Sequence, residues 1–129
     1  MNDMTDDISA IVQARIDSSD KVTLEDVVPL ETPFSAHIDV CSVCNFKCSF
    51  CFQADNEGMK AANLKRGMMP VDLFKKIVDD LAELPQRLKK VKIGNHGEPT
   101  LHDSLPEMIE YLNSRDITDI IELFTNGSK

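Results

Sequence analysis

Four cysteines fall within a single short stretch, and the rest of the 129-residue chain contains none. Cys41, Cys44, Cys48 and Cys51 are spaced C-x2-C-x3-C-x2-C. A thiolate is a soft ligand and a nucleophile, so thiols this closely set read as metal ligands or redox groups. The N-terminal residues are acidic and lack the apolar stretch of a secretory leader. A cytoplasmic, reducing compartment is therefore expected, where structural disulfides are rare.

The spacing separates the metal classes. The bacterial two-cluster ferredoxin run is C-x2-C-x2-C-x3-C followed by proline, a different string. Structural zinc usually parts two C-x2-C pairs by a dozen residues or more. Here the three intervening residues leave little chain to wrap a closed tetrahedral site. Taking the last three cysteines together gives Cys44-Asn45-Phe46-Lys47-Cys48-Ser49-Phe50-Cys51, with an aromatic residue before the last thiol. Two further strings carry chemistry-bearing residues in turn contexts: Gly94-Asn95-His96-Gly97-Glu98-Pro99 and Thr125-Asn126-Gly127.

Each string needs an element to hold it. Phe34 to Val40 alternates apolar and polar residues, a strand signal, and the cysteines follow at once. Residues 53–69 are polar and read as a loop. Pro70 suits a first helical position. Val71, Phe74, Ile77, Val78, Leu81 and Leu84 then keep helical spacing up to Pro85. Val91 and Ile93 mark a second strand ending in the Gly/Glu string. Leu105, Met108, Ile109 and Leu112 mark a second helix, with Pro106 in its first turn. Ile120 to Phe124 is a third strand ending in Thr-Asn-Gly. Strand, helix, strand, helix, strand predicts a parallel α/β fold with right-handed crossovers. All three strings then fall at the carboxyl ends of strands, the edge where parallel sheets and barrels place their sites.

The cysteine string resembles the C-x3-C-x-aromatic-C signature of the radical S-adenosylmethionine (radical SAM) superfamily. The Gly94–Pro99 string is similar to its Gly-Gly-Glu-Pro motif, with His96 where the common form has glycine. A positive φ would be costly for histidine there. The Thr125–Gly127 string is similar to its Thr-Asn-Gly turn. The resemblance covers about residues 34–128, and its motifs come in the family's order. It implies a partial TIM-like (β/α)6 barrel, of which this chain carries the first units. It implies that Cys44, Cys48 and Cys51 hold a [4Fe–4S] cluster whose fourth iron is left to chelate SAM. Phe50 would lie beside the adenine, and Gly97 and Glu98 would hold the methionine end. The implied activity is formation of a 5′-deoxyadenosyl radical that abstracts hydrogen from a substrate this sequence does not identify. The implied partner is a reductant such as flavodoxin or ferredoxin.

Cys41 has several readings. It is a fourth ligand, a second metal site, a substrate-side thiol, or a small buried hydrophobe at a strand end. If it ligated the fourth iron, the chain would be an electron carrier instead. On the strand face opposite the apolar one, His37, Asp39, Lys92 and Glu122 would line a barrel lumen, either as a polar site or as an ion-pair network. His96 and His102 flank the Gly/Glu string as proton-shuttle candidates or as helix-entry surface residues.

Composition excludes other classes. The formal net charge is −8, with 28% charged and 42% hydrophobic residues. This is an ordinary globular balance, unsuited to non-specific nucleic-acid or anionic-membrane binding. There is no Trp and one Tyr, which leaves little for base stacking. No apolar run is long enough to span a membrane. Acid is concentrated in residues 1–33, read as a lead-in: a short helix from Thr5 through Ile16, then an extended stretch with Pro29 and Pro33. Residues 34–129 read as the N-terminal part of a radical SAM core. Such a piece is expected to self-associate through its third strand and to be inactive alone.

Overall fold

A computed structural model describes residues 23–129. The helix anticipated over Thr5–Ile16 lies outside the described residues. The elements run α1 (Leu24–Val27), β1 (Ser35–Ile38), α2 (Asn56–Ala61), α3 (Val71–Ala82), β2 (Lys90–Ile93), α4 (Leu105–Ser114) and β3 (Ile121–Leu123). The strands form one parallel sheet in the order β1-β2-β3. Ala36 pairs with Val91 and Ile38 with Ile93, while Val91 pairs with Ile121 and Ile93 with Leu123. The fold is α/β, as the alternation of strand and helix patterns predicts.

Both long helices form for the expected reasons. Pro70 takes the N-cap position of α3 with extended backbone, so the helix starts at Val71, one residue after the expected first position, and Pro106 occupies the first turn of α4. Phe74 and Val78 of α3 and Leu105, Met108 and Leu112 of α4 are buried together with Ile38, Val91 and Ile93 of the sheet. Leu88, Ile117, Val40 and Cys41 extend this core along the strand ends. Tyr111 Oη donates to Asp79 at 2.8 Å and Lys75 meets Glu107 at 2.7 Å, tying the helices along their outer faces. The Asp79 contact raises the pKa of Tyr111, because the hydrogen bond favours the protonated phenol.

The stretch from 53 to 69, expected as loop, contains α2. Asp55 caps it by accepting the Gly58 N–H at 2.9 Å, and Glu57 stands in its first turn. Only Met59 of this helix is buried, so it shows no apolar period. The cap, not the hydrophobic pattern, was the sequence signal. The far end of the stretch returns to the sheet. Met69 N–H donates to Val40 O at 2.8 Å, Ser42 N–H to Gly67 O at 2.9 Å, and Cys41 bridges Met68 in antiparallel fashion.

Candidate functional site

The parallel register delivers three loops to one edge. The ladder runs on into them: Gly94 N–H donates to Ile38 O at 2.9 Å and Phe124 N–H to Ile93 O at 3.0 Å. The cysteine loop then docks on the Gly/Glu loop through a backbone bond. Glu98 N–H donates to Val43 O at 2.8 Å. Beside it Gly97 takes φ +125°, and a Cβ there would collide with the Cys41 carbonyl and lie 2.9 Å from Ser42 Cα. Glycine is required both by its dihedral and by the closeness of the two chains. His96 is not among the residues with positive φ, so its presence in place of glycine carries no such strain.

Glu98 is 1% exposed. Its Oε1 accepts Thr100 N–H at 3.1 Å, Thr100 Oγ1 at 2.7 Å and Thr125 Oγ1 at 2.7 Å. Its Oε2 accepts Asn126 N–H at 2.6 Å. Burial pushes the carboxyl pKa up, but the Asn126, Thr125 and Thr100 donors outweigh it and hold the group below its ordinary range. The carboxylate thus clasps the third loop. Asn126 in turn reaches the first: its Nδ2 donates to Asn45 Oδ1 at 3.0 Å and lies 3.9 Å from Cys44 Sγ. Asn45 Nδ2 closes the ring on Ser128 Oγ at 2.8 Å. Sequence reasoning found the three strings but not this clasp. Asn45 and Thr100 had no signal of their own.

All four cysteines are free thiols. Cys44, Cys48 and Cys51 are half-buried on one loop, and Cys51 N–H donates to Cys48 O at 2.9 Å. Cys41 is different. It is buried in the core, with Sγ 3.4 Å from Val43 O, as the reading of a small hydrophobe at a strand end has it. Phe50 is 91% exposed, a free aromatic face beside the thiols.

The four residues expected to line a lumen do not form one cluster. Glu122 lies 3.3 Å from Lys90 Nζ and 4.0 Å from Lys92 Nζ, an ion-pair network on the sheet face opposite the core. Lys92 Nζ also stands 5.8 Å from the Phe124 ring centre. Asp39 turns instead to His96: its Oδ2 takes His96 Nδ1 at 2.7 Å and its Oδ1 the His96 N–H at 3.3 Å. Phe52 packs edge-on to the imidazole at 5.2 Å. His37 is exposed on β1 and pairs in register with Lys92. His102 is buried and not a surface residue: Nε2 meets Met69 O at 2.8 Å and Nδ1 accepts Ser104 N–H at 3.1 Å. Both ring nitrogens are committed, which suits a strut rather than a shuttle.

No protein-family model matches the chain. Individual proteins do. A tungsten-containing aldehyde ferredoxin oxidoreductase cofactor-modifying protein of Pyrococcus furiosus is 33% identical over 92 residues, 71% of this chain and 23% of that protein. A probable GTP 3′,8-cyclase of Methanococcus maripaludis is 38% identical over 93 residues, 72% of this chain and 28% of its own length. A GTP 3′,8-cyclase of Tolumonas auensis is 28% identical over 90 residues, covering 70% and 25%. These relatives are radical SAM proteins. The matched segment of this chain belongs to the radical SAM superfamily.

The chain spans about a quarter of the length of these radical SAM relatives. Among the described residues, no three His, Cys, Asp or Glu side chains converge on a single metal ion. A cubane makes a different demand, because its three thiolates each meet a different iron and need not converge on one point. The donor set fits that demand. Three free, soft, accessible thiols lie on one loop, and the Phe46 N–H is 3.4 Å from Cys44 Sγ to stabilise charge on sulfur. No helix among the described residues is long and apolar enough to cross a membrane.

Proposed function

We propose that residues 34–129 form the cluster- and SAM-binding part of a radical SAM enzyme, contributing the first units of its partial barrel, with residues 1–33 as an appended lead-in. The observation that carries this reading is the convergence of the three strings. The loop bearing Cys44, Cys48 and Cys51, the loop bearing Gly97 and Glu98, and the Thr125–Gly127 turn are bonded to one another at the carboxyl edge of a parallel sheet.

In this reading Cys44, Cys48 and Cys51 ligate a [4Fe–4S] cluster, and Cys41 stays in the core. The cluster and SAM, when bound, supply one-electron cleavage of a sulfonium carbon–sulfur bond and the 5′-deoxyadenosyl radical that takes hydrogen from a substrate. The protein's own work is positional. Gly97 lets the second loop lie flat against Cys41 and Ser42, leaving backbone available to the methionine end of SAM. Glu98 contributes there by fixing the loop, since its carboxylate is spent on Thr100, Thr125 and Asn126. Phe50 offers an uncovered ring for the adenine. A small one-electron donor such as flavodoxin or ferredoxin supplies the electron, in the cytoplasm.

Anaerobic reconstitution with iron and sulfide tests the reading. It should give a brown protein with about four irons per chain, bleached by dithionite and spectrally perturbed by SAM. A colourless protein holding one zinc would overturn it.

A further inference from the structure

The three-loop clasp aims one donor at a proposed cluster ligand. Asn126 is fixed from both sides of its amide. Ser128 N–H donates to Asn126 Oδ1 at 3.0 Å, which assigns that atom as the oxygen. The nitrogen must therefore face the cysteine loop. One of its two hydrogens serves Asn45 Oδ1 at 3.0 Å, which leaves the other for Cys44 Sγ, 3.9 Å from the nitrogen. The backbone that carries it is anchored, because its own N–H is held by Glu98 Oε2 at 2.6 Å. Cys44 Sγ already has the Phe46 N–H at 3.4 Å on the same loop. Asn126 adds a second donor from a different loop.

We propose that Asn126 tunes the reduction potential of the cluster by donating a hydrogen bond to the Cys44 sulfur. This rests on the radical SAM reading above. A donor at a ligating sulfur stabilises the extra negative charge of the reduced cluster more than the oxidised one, and so raises the potential. Asn126 is a positioning residue in this scheme, since it acts on the cluster through Cys44. Its placement in the Thr-Asn-Gly turn links the electronics of the first loop to the packing of the third.

The test is a redox titration of the reconstituted full chain, followed by electron paramagnetic resonance, comparing wild type with Asn126→Asp and Asn126→Ala. Asn126→Asp keeps the oxygen that accepts Ser128 N–H and removes both side-chain donors. The midpoint should move to more negative potential in both variants. At a fixed poise the reduced fraction relative to oxidised should fall about fivefold, the worth of one neutral hydrogen bond, and further in the aspartate variant. The iron–sulfur stretching bands of wild type should shift in deuterated buffer, and those shifts should shrink in the variants. A purely structural role would move neither. Unchanged midpoints and isotope shifts in variants that hold a cluster would overturn the proposal and leave the radical SAM reading intact. Loss of the cluster from both variants but not from wild type would overturn it in favour of an assembly role. A wild-type chain that takes no cluster would overturn both.

Discussion

Glu98 Oε2 accepts the Asn126 N–H at 2.6 Å, and through that bond the second strand's loop holds the third. The contact crosses from the end of β2 to the end of β3 in a site with almost no water access at the carboxylate. A charged acceptor with several donors in such a place is worth more than an ordinary hydrogen bond.

Glu98→Gln should therefore destabilise the fold by about 1–3 kcal/mol, because the new amide group cannot accept the bonds that one oxygen now takes. Chemical denaturation of the two chains measures it. The same carboxylate makes stability pH-dependent. Its folded pKa lies below the ordinary 4.5, so its contribution is full above that value and is lost as pH falls toward the folded one. The wild type should weaken in that acid window, and Glu98→Gln should weaken less.

Gly97→Ala is expected to cost more than a surface glycine change, about 2 kcal/mol or above, since positive φ and a backbone collision act together. The damage should be local. Hydrogen exchange should rise at Glu98 and Ser42 while Val78 and Met108 stay protected.

The cysteines should separate into two classes. Cys44→Ser, Cys48→Ser and Cys51→Ser should each lose most bound iron with little change in melting temperature. Cys41→Ser should do the reverse, keeping iron but losing about 1–3 kcal/mol by placing a hydroxyl in the core. Iron analysis and thermal melts on the four variants decide this.

The outer edge of β3 is unpaired among the described residues, and Ile120 and Leu123 are exposed beside it. Parallel apolar edges recruit other strands. The chain should self-associate at micromolar concentration, and Leu123→Lys should shift it toward monomer in light scattering.

The parallel α/β class and both long helices were legible because strand patterns alternate with helical ones, and Val71 to Leu84 and Leu105 to Leu112 bury one face each, which leaves a period in the sequence. The helix α2 was not, because it rests on a cap and one buried methionine. The site was legible as three strings but not as a clasp. Turn residues such as Thr100, Asn45 and Asn126 act through bonds to residues far along the chain, and no local pattern records those. Asp39 shows the same limit: its strand parity suggested Lys92 and Glu122 as neighbours, yet it lies past the end of β1, where the backbone turns it to His96.

The return of residues 67–69 to the strand end has a thermodynamic consequence. Val40 O, Ser42 N–H and the His102 ring all hold that return strand, so the excursion from Val43 to Arg66 is closed by the polypeptide itself. The entropy of confining the thiol-bearing loop is then spent when the chain folds. Uptake of the proposed cluster should then be uncoupled from global folding, unlike in small zinc domains, whose fold exists only with metal. A chelator should strip iron and leave the sheet standing, and the emptied chain should accept iron again without refolding.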